Sequence, residues 1–134
     1  MAKLIEIESI GNVYSKKLKT AGISSLNKLL KTGANKKGRM QIASESGISE
    51  NKILEWVKRA DLSRIKGIST QYADLLEYTG VDSIPELAQR NPDKLFLMMT
   101  KVNKEKQIVR KLPSVSQVKN WISQANALPR VITH

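Results

Sequence analysis

The chain repeats itself, and that repetition limits the folds open to it more than any other feature. The segment from Ile7 to Leu30 lies without a gap over the segment from Ile65 to Ala88, at a constant separation of 58 residues. Ile7 falls on Ile65, Ile10 on Ile68, Tyr14 on Tyr72, Leu18 on Leu76, Gly22 on Gly80, Ile23 on Val81, Ser25 on Ser83 and Leu29 on Leu87. Further along the separation becomes 65, where Ser49–Ala60 matches Ser114–Ala125 and Trp56 meets Trp121. The second copy therefore carries seven more residues than the first, since 65 less 58 is seven. Two units are predicted, 1–62 and 63–134, the second ending in a short tail.

Within each unit the apolar residues recur at helical spacing and do not alternate, and aromatic residues total only six, which predicts an all-α protein. Tyr14, Leu18 and Ala21 share one helical face, as do Ile53, Trp56, Val57 and Ala60. Trp56, Trp121, Tyr14 and Tyr72 are accordingly expected in the core, with Met98 and Met99 filling gaps in it. Ser83-Ile-Pro-Glu86 and Ser114-Val-Ser-Gln117 read as capping boxes, and Asn91-Pro92 as an N-cap followed by proline in the first helical position. Gly22, Gly47 and Gly80 stand where helices should stop in a left-handed turn. Helices of about 8 to 14 residues are predicted. No Gly/Ser- or Pro-rich linker separates the units, so they are expected to pack as one compact body.

Each unit also holds a very short Ile-centred turn, Ser9-Ile10-Gly11 or Gly67-Ile68-Ser69, followed by a helix with Tyr and Leu and then by Gly and a β-branched residue. This resembles the helix-hairpin-helix motif. The resemblance implies that backbone amides of a Gly-apolar-Gly turn approach a nucleic-acid phosphate, helped by the start of the next helix and, in some members, by a monovalent cation. Tandem copies resemble the paired domains that straddle a DNA minor groove. The physics stands beside the resemblance: amides at a helix N-terminus and the helix dipole attract an anion, and glycine permits both the backbone angle and the close approach. Each turn keeps one of the two expected glycines, Gly11 or Gly67, with Ser9 and Ser69 in the vacant places. Gly11 and Gly67 are thus expected to admit a phosphate, Asn12, Ser69 and Thr70 to help bind it, with Ser69 and Asn12 as N-caps, and Lys16, Lys17, Lys19 and Lys66 to supply charge. The phrases ILEWVKRADL, RIKGI, ELAQRNP, RKLPS and VITH further resemble an uncharacterised bacterial family, the domain of unknown function 4332, which implies a duplicated helix-hairpin-helix fold.

Charge points the same way. Lys plus Arg number 23 against 12 for Asp plus Glu, a net +11 divided as +6 over residues 1–62 and +5 over the rest. A polyanion is the first partner to expect. Three basic clusters stand out: Lys28, Lys31, Lys36, Lys37 and Arg39; Arg59, Arg64 and Lys66; and Lys101, Lys104, Lys106, Arg110 and Lys111. Four to six phosphate contacts would give log K against log salt a slope of about −4 to −5, largely indifferent to sequence. A second DNA mode is also spelled out: Gln41-Ile-Ala43, Gly47-Ile48-Ser49, Ile53 and Trp56 have helix-turn-helix spacing, with residues 50–60 as the recognition helix. A tight glycine turn between two packed helices explains the same letters.

Chemistry finds little to work with. The only histidine is His134, there is no cysteine, and neither a Walker lysine loop nor a Gly-x-Gly-x-x-Gly run occurs, so no catalytic or metal-binding residues are expected and no cofactor beyond the hairpin cation. The absence of cysteine and of long apolar runs predicts a protein of the cytoplasm, nucleoid-associated if it binds DNA, with no membrane partner. The expectation is non-sequence-specific binding of double-stranded DNA. Its alternative is a non-enzymatic adaptor for an acidic partner protein.

Overall fold

A computed structural model describes residues 10–134; Ser9 and Glu8, beside the first turn, lie outside the described residues. Among these there are eight helices and no strand: α1 (Gly11–Thr20), α2 (Leu26–Gly33), α3 (Lys36–Ser46), α4 (Glu50–Leu62), α5 (Thr70–Tyr78), α6 (Ile84–Ala88), α7 (Pro92–Lys106) and α8 (Val115–Ala127). The fold is all-α. Lengths run from five residues in α6 to fifteen in α7, a wider spread than spacing alone predicts. The helices form two compact units, residues 10–64 with Arg130–His134, and Ile65–Pro129.

In the first unit α2 lies chiefly against α4, with α3 on both and α1 on α3. In the second, α6 and α7 lie on α8 and α5 on α7. The tyrosine–tryptophan pair occurs in both: Tyr14 meets Trp56 at 5.2 Å between ring centroids, tilted 59°, and Tyr72 meets Trp121 at 5.4 Å, tilted 50°. Both indoles are buried, and both tyrosines are half-buried. The Tyr72 hydroxyl donates to the Lys111 carbonyl (3.1 Å), so its polar end is satisfied where its ring meets the core.

Local chemistry fixes the helix starts. Ser25, Asn35, Ser49, Ser69, Asn91 and Ser114 each precede a helix and accept an amide of its first turn through the side-chain oxygen, relieving donors that the helix cannot use internally. Ser114 and Gln117 form the full reciprocal box. Ser83 does not. It accepts from the Glu86 amide (3.3 Å), but the Glu86 carboxylate is taken by Arg90 at 3.0 and 3.2 Å and does not reach back.

Two further expectations change. Met99 is fully buried, whereas Met98 is 46% exposed, because one helical step carries it off the side of α7 that faces the core. The tail, expected with the second unit, joins the first: Ile132 is buried in that unit's core beside Leu18, Ile42 and Trp56, and the Thr133 amide donates to the Ala34 carbonyl (2.8 Å). Its anchor is Arg39. This guanidinium, 1% exposed, donates to the carbonyls of Gly33 (2.9 Å), Ala34 (3.2 Å) and Thr133 (2.8 Å). Its Nε has no hydrogen-bond acceptor, and the Glu50 carboxylate at 3.9 Å is too far to serve as one.

Candidate nucleic-acid interface

The two Ile-centred turns differ in how their single glycine is used. In the first, Ile10 is buried and Gly11 opens α1 at φ +58°. The N-cap position falls on Ile10, which has no side-chain oxygen to offer the amides of the first turn. Asn12, expected as a cap, lies inside the helix and is exposed. Among the described residues a Cβ on Gly11 would meet nothing within 4 Å. No described residue crowds this half-buried glycine, and Lys16, Lys17 and Lys19 follow on the same helix, all exposed.

In the second turn Gly67 takes φ +96°, and a Cβ there would stand 2.9 Å from Trp121 Nε1. The missing side chain makes room for the indole. Lys66, which precedes it, has both backbone groups occupied: its amide donates to Gln124 Oε1 (2.8 Å) and its carbonyl accepts from Gln124 Nε2 (3.0 Å). Ser69 caps α5 by accepting from the Tyr72 amide (3.2 Å), as its sequence position predicts. Thr70, the first residue of α5, is half-buried, and the side chain of Lys66 is exposed. The nine site residues thus fall into two groups: Gly11, Asn12, Lys16, Lys17 and Lys19 on α1, and Lys66, Gly67, Ser69 and Thr70 at the start of α5. The first group has the uncrowded glycine and three exposed lysines. The second has its glycine and one amide committed to packing.

The basic clusters also sort themselves. Lys28, Lys31, Lys36 and Lys37 are exposed, but Arg39 is buried under the tail and presents no charge to solvent. Of the second cluster, Arg59 is 4% exposed and Arg64 is held by Asp61 at 2.8 Å, which leaves Lys66. The third, Lys101 to Lys111, keeps its five basic residues exposed, with Lys106 Nζ lying 5.0 Å from the centre of the Tyr78 ring. Sequence alone does not separate arginines that hold the fold from lysines that face water. A useful signal was present: the three re-assigned residues are all arginines, whose planar fork suits buried carbonyls and carboxylates better than an ammonium does.

The helix-turn-helix letters form a real turn. Gly47 caps α3 in the left-handed conformation (φ +75°) and Ser49 caps α4. But α4 is the core helix of its unit, with Ile53, Trp56, Val57, Arg59, Ala60, Asp61 and Leu62 all buried. After Glu50 the exposed residues are Asn51, Lys52 and Glu55, all in the first half of α4.

Among the described residues no group of His, Cys, Asp and Glu could hold a metal ion, and no helix is long and apolar enough to cross a membrane. No curated protein and no solved structure matches the chain. A family model does, over residues 8–128, nearly the whole length. By that match the chain belongs to the family described as Domain of unknown function (DUF4332).

Proposed function

We propose that this protein binds double-stranded DNA without sequence preference, as a tandem helix-hairpin-helix protein of the cytoplasm associated with the nucleoid. The observation that carries the reading is the first turn: a left-handed Gly11 with no described residue within 4 Å of where its Cβ would stand, an N-cap residue without an oxygen, and Asn12, Lys16, Lys17 and Lys19 exposed along the helix that follows. Amides and dipole at that end favour an anion, and the lysines add charge within reach of neighbouring phosphates. The start of α5 contributes through Lys66, Ser69 and Thr70, with Gly67 setting the turn. The exposed Lys28, Lys31, Lys36 and Lys37 broaden the basic surface of the first unit. Four of the six aromatic rings pair inside the units, Tyr14 with Trp56 and Tyr72 with Trp121, and Phe96 is half-buried, leaving Tyr78 alone exposed; so few free rings to stack unpaired bases favour duplex over single strand.

The test is fluorescence anisotropy of a labelled duplex of mixed sequence across a salt series, with competitors of other sequences. The reading expects micromolar binding, a steep salt slope and no preference among competitors. Substituting Lys16, Lys17 and Lys19 together by Glu should weaken binding sharply and flatten the slope by about three, one for each lysine withdrawn from a phosphate, with helical circular dichroism unchanged. Unchanged DNA affinity in that variant would remove α1 from the interface.

A further inference from the structure

α7 is committed to the second unit along one side only. Leu95 and Met99 are buried in that unit, whose helices α5 and α8 both pack on α7. Its opposite side presents Lys94, Leu97, Met98, Lys101 and Lys104, all exposed, with the exposed Glu105 beside Lys101 at its C-terminal end, so that this side keeps a net positive charge. Their spacing of three and four residues puts them in a single stripe on the helix. Leu97 is 67% and Met98 46% exposed, and among the described residues nothing covers them.

The pattern of this stripe selects its partner. A phosphate backbone would engage the lysines and leave Leu97 and Met98 in water, with nothing gained from their position. A bilayer surface calls for an apolar stripe along the length of a helix, and here Lys101 and Lys104 occupy the turns that follow the apolar pair. The complementary surface is a helix with one or two apolar anchors flanked by Asp or Glu: the anchors cover Leu97 and Met98, and the carboxylates meet Lys94, Lys101 and Lys104. Met98 adds an unbranched side chain able to adapt to the anchor it meets. We propose that the outer face of α7 docks an acidic amphipathic helix of a partner protein, through Leu97 and Met98 at the centre and the three lysines around them. So small an apolar centre makes the contact a weak, transient one. It is independent of DNA binding through α1.

The experiment is a titration of the isotope-labelled full chain, followed by amide chemical shifts, with a synthetic helical peptide of about 15 residues bearing two Leu on one face with Glu around them. A scrambled peptide of the same composition is the control. Expected are shifts concentrated on α7 for the amphipathic peptide alone. Leu97→Ser with Met98→Ser leaves the charge unchanged and alters only exposed positions; it should weaken that binding about tenfold while duplex DNA affinity stays as in the parent chain. The proposal is overturned if the scrambled peptide binds equally, if shifts spread over all exposed lysines, or if the double variant binds as the parent does. Sedimentation with phosphatidylglycerol vesicles that depends on Leu97 and Met98, without a peptide effect, would overturn it in favour of a lipid surface.

Discussion

Gly11 and Gly67 occupy equivalent turns and serve different ends. Both have positive φ, +58° and +96°, so alanine at either position meets backbone strain of about 1–2 kcal/mol. At Gly67 the new Cβ would also stand 2.9 Å from the Trp121 indole, and a close-packed core yields to such an intrusion only by moving side chains off their rotamers. We therefore expect Gly67→Ala to lower stability by about 2–4 kcal/mol and Gly11→Ala by no more than half as much, read as the shift of the urea midpoint at constant m. DNA affinity, measured where both variants are folded, should show the reverse order, because at Gly11, unlike Gly67, no described residue stands within 4 Å of the added methyl, on the side a phosphate would approach. Equal losses of affinity would mean that both turns, or neither, approach the phosphate.

At the scale of elements, what the sequence reveals is what neighbouring residues decide among themselves. Ser114 with Gln117, Asn91 with Pro92, and the left-handed Gly47 were all legible, because each cap or stop is made within four residues of the helix end it serves. The second unit's extra length was legible as a number but not as a structure. Where α3 passes to α4 in three residues, 47–49, α7 passes to α8 in eight, 107–114. That longer passage starts with Gln107 in the left-handed conformation (φ +54°), a place that pattern reading reserves for Gly or Asn. The passage is held by Asn103, whose side chain donates to the Val109 carbonyl (3.1 Å) and accepts from its amide (2.9 Å). Gln124 grips Lys66 in the same two-point way across 58 residues of sequence. Neither grip leaves a trace in spacing or composition, since an amide side chain on a helix reads as a solvated residue. Gln124→Leu should remove both bonds and cost about 1–3 kcal/mol, and hydrogen exchange at the Lys66 amide should quicken while α8 keeps its protection. Exchange that stays slow in that variant would show another group holding the turn.

At the scale of the whole molecule, the chain is not two beads in sequence, because the first unit is completed by residues that follow the second. The repeat could not announce this. The tail has no counterpart after the first unit, where Ala60-Asp-Leu-Ser-Arg-Ile65 runs directly into the next copy, so residues 130–134 fall outside every matched position. Burial and charge explain why the tail matters to its unit. Ile132 is 7% exposed within the core, worth about 1.5–3 kcal/mol as an upper estimate. The Thr133 carbonyl is one of three that accept from the terminal nitrogens of the buried Arg39, whose Nε already lacks an acceptor, and a buried cation short of acceptors is costly. Removing Arg130–His134 should therefore destabilise the first unit by several kcal/mol while sparing the second. Hydrogen exchange read by peptide mass spectrometry is the direct measure: amides of α2, α3 and α4 should lose protection, and those of α5 to α8 should exchange as in the full chain. Ile132→Ala should give the same regional pattern at about 2–4 kcal/mol, which separates loss of core packing from loss of the Arg39 acceptor. Uniform loss of protection across both units would show instead that they unfold as one cooperative body, with the tail stabilising all of it.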